Sequence, residues 1–472
     1  MLFTSLVFLF LFLPIVLIVY YLFRKKRTLQ NIFLFIVSLF FYAWGEPAFV
    51  VVLIESIILH WFLALIIDRN RENTVGAILV AVAAAADIGL LFVYKYLDFF
   101  LTQVNRLGFH FPLRYIALPI GISFFSFQAL SYVIDVYRGE ECQKNPLYVG
   151  LYISFFPQLV AGPIVRYKTV ADQINHRQES LPLFKSGTIR FMEGFSKKIL
   201  LANTMAVIAD KAYSMAGTEL TVSFAWSGAA AYMLQIYFDF SGYSDMAIGL
   251  GRMFGFEFEE NFYHPYAADS MTDFWRRWHV SLSRWFRDYV YFPLGGSRTG
   301  SAAENYFNLF VVWALTGVWH GANWTFIVWG ILNYVFLVLE KATPFGAFLR
   351  KRKIFARVYT CLTVMLLWVF FRADTISQAI LFLKTMFGLT GAAGYTPLTA
   401  VYLRENIVYI AAAILFSTEI CDLVRNKWMI NLPPKKAAAA GILAELMLFI
   451  LFGISVVYVI NGTYDPFIYF HF

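Results

Sequence analysis

The chain begins with the apolar run LFTSLVFLFLFLPIVLIVYYLF, residues 2–23, which is followed directly by the basic cluster RKKR at residues 24–27. A helix of about 20 apolar residues is long enough to span the hydrocarbon core of a bilayer. A secretory signal peptide has a shorter apolar region of about 7–15 residues and a basic start, which this run lacks. Because cytoplasmic loops carry an excess of Lys and Arg, the cluster predicts a spanning helix whose N-terminus lies outside.

The composition of the whole chain agrees with a membrane protein. Of the 472 residues, 60% are hydrophobic, 19% are aromatic and only 14% are charged. Soluble domains contain about 25% charged residues, so this chain lacks the polar surface that a large soluble enzyme needs. The net charge is +8, and the basic residues cluster in short loops between apolar runs. This distribution indicates that they orient the protein in the membrane and do not bind nucleic acid. The three cysteines have no metal-like spacing, so no zinc site is predicted.

Apolar runs recur along the chain and predict an all-α polytopic membrane protein with about ten transmembrane helices. The predicted crossings cover residues 2–23, two helices within 31–67, 75–96, 116–136, 199–215, 223–251, 355–371, 405–423 and 437–460. Two further runs, 147–161 and 306–339, are interpreted as re-entrant hairpins, the first because it is too short to cross. Residues 1–472 are expected to form a single integral-membrane domain.

Basic residues fix the predicted orientation of these helices. Loops near Lys26, Arg177, Arg276, Arg352 and Lys435 are expected in the cytoplasm, because short cytoplasmic loops are rich in Lys and Arg. With ten crossings, both termini then face the outer side. We therefore expect a multi-pass protein of the cytoplasmic (inner) membrane, in contact with membrane lipid.

The stretch SMTDFWRRWHVSLSRWFRDY, residues 270–289, predicts one continuous amphipathic helix. At 100° per residue, its apolar side chains share one face. These are Phe274, Trp275, Trp278, Leu282, Trp285, Phe286 and Tyr289. Arg276, Arg277, Arg284 and Arg287 share the opposite face, and His279 lies at the border. A Trp-rich face opposite an Arg-rich face is typical of a helix that lies in the membrane interface.

Two interpretations of the arginine face remain open. It can simply meet anionic lipid headgroups, with His279 as an ordinary border residue. Alternatively, the four arginines are donor-binding residues that gather an anionic cytosolic molecule, such as a coenzyme A or phosphopantetheine group.

His320 lies between two apolar runs, in the segment TGVWHGANWT, residues 316–325. A helix from Tyr306 to His320 would be about 22 Å long at ~1.5 Å per residue, which passes the middle of a ~30 Å hydrocarbon core. An ionisable residue at that depth is costly and predicts a functional site. Burial favours the neutral imidazole, the form that a general base requires. The alternative is a histidine that only packs between helices.

Other polar residues near the apolar runs are weaker candidates. Gly317 and Gly321 are expected to leave room for a substrate beside His320, and Thr316, Asn323 and Thr325 to hydrogen-bond its ring. In YFDFSGYSD, residues 237–245, the polar side chains including Asp239 and Tyr243 are expected to line the same cavity, or only to tie helices together. Isolated ionisable residues are interpreted as structural: Glu55, His60, Asp87, Glu419 and Glu445.

Six blocks, in order along the chain, resemble the membrane-bound O-acyltransferase (MBOAT) family, in particular its bacterial alginate O-acetyltransferase branch. They are FYAWGEP (41–47), LPIGISFF (118–125), FFPQLVAGPIV (155–165), YFDFSGYSD (237–245), FWRRWH (274–279) and WHGANW (319–324). The motif-bearing core covers about 41–341, and the C-terminal helices, 355–460, carry the resemblance only weakly.

The resemblance implies a ring of helices that transfers an acyl group from a cytosolic thioester to a hydroxyl. The invariant histidine of the family corresponds to His320 and its second histidine to His279, so both are predicted to be catalytic. We assign proton transfer to His320 and donor orientation, at the cytoplasmic mouth, to His279. The expected donor is acetyl-CoA or an acyl-carrier thioester, with no bound cofactor and no metal. The alginate branch implies transfer of an acetyl group across the membrane to a hydroxyl of an extracytoplasmic polysaccharide or of a secreted or periplasmic partner protein.

Two other functions remain open at this point. Another branch of the family transfers D-alanine to teichoic acids, and the branches share their chemistry. A transporter or flippase with His320 as a proton relay is the alternative from a different class, although the sequence lacks the internal repeats that such proteins show.

Overall fold

The described part of the chain is built from helices. The computed structural model describes residues 1–215, 219–298, 300–462 and 467–468, and within these ranges it contains 23 α-helices and no β-strand. The predicted all-α fold class is therefore confirmed. The chain divides into two compact units, residues 1–191 with 244–259 and residues 192–243 with 260–472.

The helices up to residue 196 are α1 (Leu13–Leu22), α2 (Arg27–Gly45), α3 (Val50–Arg69), α4 (Thr74–Leu91), α5 (Leu97–Asn105), α6 (Ile122–Tyr137), α7 (Pro146–Ser154), α8 (Phe156–Leu159), α9 (Tyr167–His176) and α10 (Leu181–Ser196). They are followed by α11 (Asn203–Ser214), α12 (Val222–Met253), α13 (Met271–Arg277), α14 (Val280–Phe286), α15 (Ala302–His320), α16 (Trp324–Ala342) and α17 (Phe345–Lys351). The last helices are α18 (Lys353–Arg372), α19 (Ile376–Met386), α20 (Pro397–Glu405), α21 (Ile407–Phe416), α22 (Ile420–Asn431) and α23 (Pro434–Ile460). Short π-helical segments occupy Phe8–Phe12, Phe92–Tyr96, Lys197–Ala202 and Arg287–Tyr291.

Six of the described helical segments are long and apolar enough to cross a membrane, or seven if the bent pair of α20 and α21 forms one span. They are α2, α3, the 32-residue segment Thr74–Asn105, α16, α18 and α23. The chain is therefore a multi-span membrane protein. The predicted number of about ten crossings is not confirmed, because at most seven of the described segments meet these requirements of length and composition.

Local sequence explains why several predicted crossings are shorter than expected. The run 116–136 becomes a helix only at Ile122, after Pro119 and after Gly121, whose φ of +78° lies in the left-handed region. The run 199–215 is divided between a π-helical segment and the 12 residues of α11. Conversely, the hairpin predicted over 306–339 consists of α15 and α16, each of 19 residues, and α16 is long enough to span.

Elsewhere the local sequence signals are reliable. The predicted break at Gly45-Glu46-Pro47 separates α2 from α3, since the residue before a proline is disfavoured in the helical conformation. The short run 147–161 forms two helices of nine and four residues, too short to cross.

Two polar side chains on neighbouring spanning helices, His60 and Asp87, are paired with each other. His60 on α3 and Asp87 on α4 are both buried, and the His60 Nε2 atom lies 3.0 Å from Asp87 Oδ2. The His60 Nδ1 atom lies 2.8 Å from the Ser56 carbonyl oxygen. Pairing of this kind satisfies groups that lipid cannot hydrate. His60 and Asp87 are therefore not isolated, and their structural interpretation stays a prediction.

Candidate active site

His320 is the last residue of α15, where the chain turns towards α16. The helix begins after Ser301, whose hydroxyl accepts a hydrogen bond from the Glu304 N–H at 3.2 Å. Its 19 residues extend over about 28 Å at ~1.5 Å per residue. Only 4% of the His320 surface is exposed. The structure therefore buries the imidazole at the end of a long helix, as the sequence predicted.

Three aromatic rings surround the His320 imidazole. The ring centroids of Trp319 and Trp329 lie 5.0 Å from it and that of Phe371 lies 5.1 Å away, all close to perpendicular. Trp329 is in turn stacked on Trp368, with centroids 5.7 Å apart. Edge-to-face pairs at these distances are favourable by about 0.5–1.5 kcal/mol each. The rings hold the imidazole in one orientation and give it an apolar wall.

The glycines next to His320 serve helix packing, which corrects their predicted role. A Cβ atom at Gly317 would lie 2.7 Å from the Phe326 carbonyl oxygen, and one at Gly330 would lie 2.6 Å from the Trp313 carbonyl oxygen. At Gly321, a Cβ would meet the Phe326 ring at 2.4 Å. The space that these residues leave is thus filled by the facing helix and not kept for a substrate.

Two of the three polar residues predicted to hydrogen-bond His320, Thr316 and Asn323, have structural partners of their own. Thr316 donates a hydrogen bond to the Val312 carbonyl oxygen at 2.7 Å. Asn323 caps α16, because its side-chain oxygen accepts from the Thr325 N–H at 3.1 Å, and its amide nitrogen donates to the Asp374 carbonyl oxygen at 2.8 Å. A substrate-binding role for Asn323 stays a prediction.

The predicted continuous helix over residues 270–289 is wrong, because the chain breaks at His279. Two short helices, α13 and α14, stand on either side of it and a π-helical segment follows from Arg287. His279 has φ of +45° and ψ of +52°, the left-handed conformation, which costs a non-glycine residue about 1–2 kcal/mol. Residues 278–289 therefore do not continue the face of α13.

The apolar side chains of this segment are buried inside the protein, which also corrects their predicted place in the lipid. Phe274, Trp278 and Trp285 are each less than 5% exposed. Carboxylate and amide groups of α16 hold α13 in place. Glu340 accepts hydrogen bonds from the Met271 and Thr272 N–H groups, at 2.8 and 3.4 Å, and Asn333 accepts from the Trp275 indole at 3.1 Å.

His279 is more deeply buried than its predicted position at a helix border implied. Only 1% of its surface is exposed. Its Nδ1 atom lies 3.2 Å from the Asn261 side-chain oxygen, and its Nε2 atom has no hydrogen-bond partner among the described residues. The ring of Phe240 packs edge-on at 4.6 Å. Burial lowers the pKa of His279 to about 3, so the imidazole is neutral at physiological pH.

The two candidate catalytic histidines lie around a common tryptophan. The centroid of Trp319 is 6.2 Å from that of His279 and 5.0 Å from that of His320. All three residues belong to the second compact unit. The structure thus brings together two imidazoles that are 41 residues apart in sequence.

The four predicted donor-binding arginines differ in their surroundings. Arg276 is exposed, whereas Arg277 forms ion pairs with Asp273 at 2.9 Å and Glu419 at 2.6 Å. Arg284 is half-buried. Arg287 is exposed and forms an ion pair with Asp288 at 3.0 Å. The arginine face is therefore partly neutralised by acidic neighbours, and its role in donor binding stays a prediction.

Asp239 and Tyr243 lie on α12, within the same compact unit as the histidines. Asp239 is buried and its Oδ1 atom lies 2.6 Å from the Lys198 ammonium. Lys198 lies in a π-helical segment, a local form that occurs frequently at functional sites. Asp245, at the end of the same motif, belongs to the first unit and pairs with Arg190 of that unit at 2.7 Å.

Residues close to the C-terminus contribute to this region, and the sequence analysis missed them. Phe467 stacks on Tyr243 with centroids 4.8 Å apart and lies 5.9 Å from Phe240. The N–H of Ile468 donates to the second Asp239 oxygen at 2.7 Å. No periodicity in the short terminal segment pointed to this position. Its high aromatic content was the one available signal.

Comparison with known proteins identifies the chemistry of this fold. The family model of the membrane-bound O-acyltransferases matches residues 36–373. The chain is 43% identical to "Probable alginate O-acetylase AlgI" of Pseudomonas aeruginosa over 394 residues, 82% of this chain and 75% of that protein. It is 37% identical to the protein of the same name from Pseudomonas putida, over 100% of both chains. It is also 36% identical to "Peptidoglycan O-acetyltransferase" of Helicobacter pylori, over 83% of this chain and 80% of that protein.

The match covers all six motif blocks, including both histidines. The predicted resemblance is thereby confirmed, and the protein is an O-acyltransferase with several membrane spans. The chain belongs to the membrane-bound O-acyltransferase family.

Proposed function

We propose that this enzyme transfers an acetyl group from a cytosolic thioester, across the membrane, to hydroxyl groups of an extracytoplasmic polysaccharide. Support comes first from its relatives. The names of the relatives from Pseudomonas and Helicobacter give alginate and peptidoglycan as what they act on, and both contain polysaccharide. Because the similarity to one of the AlgI proteins covers 100% of both chains, an alginate-like polymer is the favoured acceptor.

The observation that carries the proposal is the pair of buried histidines around Trp319. Acyl transfer from a thioester to a hydroxyl needs a group that accepts the hydroxyl proton, and a neutral imidazole is suited to this. It also needs a site that holds the two substrates together and excludes water, which would otherwise hydrolyse the thioester. The aromatic wall of Trp319, Trp329 and Phe371 provides an apolar environment of this kind.

In the proposed reaction, His320 acts as the general base. The acceptor hydroxyl oxygen attacks the thioester carbonyl carbon while its proton passes to the His320 imidazole. The new C–O bond forms, the C–S bond breaks, and the sulfur leaves as a thiolate, which recovers the proton to give the free thiol. General-base assistance of this type contributes about 10²–10⁴-fold to the rate.

The donor is proposed to be acetyl-CoA or an acyl-carrier thioester. Both carry phosphate groups, and the exposed guanidinium groups of Arg276 and Arg287 could attract them electrostatically. The enzyme is further proposed to lie in the inner membrane, with about ten crossings in a ring. It would work together with a secreted or periplasmic partner protein.

The test uses purified full-length protein with radiolabelled acetyl-CoA and three acceptors: alginate oligosaccharide, peptidoglycan fragments and lipoteichoic acid. We expect label to appear in the alginate oligosaccharide, together with one equivalent of free thiol. A parallel reaction replaces acetyl-CoA with a D-alanyl carrier protein. Transfer of D-alanine to lipoteichoic acid, without acetyl transfer, would contradict the proposal and establish the D-alanyl alternative.

A further inference from the structure

Asn261 is a buried residue in the loop before α13, and its side-chain oxygen collects several hydrogen bonds. It is 0% exposed. The oxygen accepts from the Ser281 N–H at 3.2 Å and from the Ser281 hydroxyl at 2.9 Å, and it lies 3.2 Å from the His279 Nδ1 atom. Because a backbone N–H can only donate, the contact with Ser281 identifies this end of the amide as the oxygen.

This contact fixes the tautomer of His279. An amide oxygen can only accept, so the Nδ1 atom must carry the hydrogen. In a neutral imidazole the other nitrogen then has a free lone pair and no hydrogen. That Nε2 atom is buried and has no hydrogen-bond partner among the residues that the structure describes. A buried acceptor without a partner is costly, which is typical of a position that a substrate group completes.

The backbone around His279 is held by the same asparagine. The Val280 N–H donates to the Asn261 main-chain oxygen at 3.0 Å. This bond lies directly after the left-handed residue at which the helix breaks. Residues held in sparsely populated conformations cluster at active sites, because the surrounding structure must enforce them. Asn261 therefore controls both the position of the imidazole and its protonation pattern.

The other groups in contact with His279 are uncharged. They are Phe240 from α12, Trp319 from α15 and Ser281 from α14. Within the described ranges no charged group contributes to the shift of the His279 pKa, which burial alone lowers to about 3. The imidazole is thus neutral because of its surroundings, with Asn261 deciding which nitrogen carries the hydrogen.

We propose that Asn261 is a positioning residue for the acyl transfer, which holds the Nδ1–H of His279 so that Nε2 accepts a hydrogen bond from a substrate N–H or O–H group. The inference rests on the proposed function. It changes the expected role of His279 in one respect. With no hydrogen on Nε2, the imidazole cannot donate to the thioester carbonyl oxygen. It can only accept, from an amide N–H of a pantetheine-type donor or from the hydroxyl of the acceptor.

The first test reads the tautomer directly and does not require activity. Full-length protein carrying ¹⁵N-labelled histidine is studied by NMR at neutral pH, and the signal of His279 is assigned by its loss in His279→Ala. We expect a protonated Nδ1 and a bare Nε2 in the wild type, and loss of this preference in Asn261→Leu. A protonated Nε2 in the wild-type protein would overturn the inference.

The second test separates positioning from a structural role. Asn261→Leu removes the acceptor at similar volume, and we expect the rate of transfer from acetyl-CoA to alginate oligosaccharide to fall about tenfold or more, the scale of one lost hydrogen bond. Asn261→Asp keeps the acceptor, so activity should be largely retained. A carboxylate beside an imidazole raises the pKa of the imidazole, so the acid limb of the rate profile should move to higher pH. If both variants lost the same transfer activity and the pH dependence did not shift, the role of Asn261 would be structural only.

The two possible substrate groups are distinguished by measuring donor-analogue binding and kcat separately. If the donor supplies the N–H group, Asn261→Leu weakens binding of a non-hydrolysable thioether analogue of acetyl-CoA. If the acceptor supplies the O–H group, analogue binding is unchanged and kcat falls. Either result supports the inference, whereas unchanged binding with unchanged kcat refutes it.

A matched control is the buried Asn308, whose amide donates to the Leu294 carbonyl oxygen at 2.9 Å. Asn308→Leu should leave the His279 tautomer and the pH profile unchanged. If the wild-type protein transfers no acetyl group at all, the proposed function fails, and the NMR measurement still tests Asn261 independently.

Discussion

The segments that carry the two histidines are built in opposite ways. His320 ends a regular 19-residue helix, and close glycine contacts lock that helix to its neighbour α16. His279 stands at a break between two helices of seven residues each, in a left-handed conformation that other parts of the chain must enforce. The first arrangement follows from local sequence, since a regular helix needs only its own residues and a cap. The second depends on tertiary contacts with Asn261 and Glu340.

This difference teaches that burial of a functional group can be reached by two routes. A long apolar helix places His320 among aromatic rings simply by its length and its packing partners. Residues 270–289, by contrast, bury polar and apolar side chains together, and the chain pays for this with an unfavourable backbone conformation at one residue. Substitutions in the two segments should therefore differ in the size of their effect.

Replacement of His320 should have the largest effect. We expect His320→Ala to reduce acetyl transfer by at least about 10²–10⁴-fold, the contribution of a general base, while expression and binding of a non-hydrolysable donor analogue are retained. The rate is measured with labelled acetyl-CoA and alginate oligosaccharide. Near-normal transfer would show that His320 only packs between helices. Loss of analogue binding alone would exchange the roles of the two histidines.

Replacement of His279 should have a smaller effect, of about 10–100-fold, because it removes a hydrogen-bond acceptor and not the assigned base. His279→Gly is the matched variant of His279→Ala, since glycine adopts the left-handed conformation without strain. If the imidazole matters, both variants should lose the same activity, although His279→Gly should be the more stable in thermal unfolding. Recovered activity in His279→Gly would show that only the backbone break is required.

Gly317 tests the packing that supports His320. A methyl group at this position would lie 2.7 Å from the Phe326 carbonyl oxygen, so α15 and α16 must separate. We expect Gly317→Ala to lower the free energy of unfolding by about 1–3 kcal/mol, the usual cost of overpacking, with a parallel loss of activity. Gly453→Ala on α23 is the control, because a Cβ there meets no atom within 4 Å. Equal thermal stability of the two variants would contradict the packing argument.

Replacement of the four arginines in residues 270–289 should have the smallest effect. Changing Arg276, Arg277, Arg284 and Arg287 together to Gln should raise the apparent KM for acetyl-CoA several-fold, and this increase should shrink at high salt. Arg277→Gln alone should instead lower stability by up to about 1 kcal/mol, because Arg277 is paired with Asp273 and Glu419. An unchanged KM in the folded fourfold variant would leave only the interpretation as a lipid-headgroup anchor.

The sequence predicted more of the fold class than of the membrane crossings. Apolar runs and basic loops were sufficient for a helical multi-span protein, because the bilayer imposes both signals on any such chain. They were not sufficient to count crossings, since the helix within an apolar run can begin late, as it does after Pro119 and Gly121, or can be buried within the protein. The predicted crossing 223–251 lies in α12, a helix of 32 residues that is not among the six apolar spans.

The candidate site was predicted in part and for an identifiable reason. His320 and its burial could be inferred, because the residues before it form a regular helix of countable length. The burial of His279 could not, since an ideal helix projection assumes that the helix continues through residue 279. The contribution of Phe467 and Ile468 was also out of reach, because a contact more than 220 residues away in the chain leaves no local pattern.

By itself, the sequence determined that this is a membrane protein, that its secondary structure is helical and, through its six motif blocks, to which family it belongs. These properties depend on composition and on residues close together in the chain. Tertiary structure alone decided that the imidazoles of His279 and His320 lie around the indole of Trp319, and that Asn261 fixes the hydrogen on His279. It also decided that α16 occupies the space next to the glycines beside His320. Such properties depend on distances between residues remote in sequence, and those distances exist only once the helices have packed.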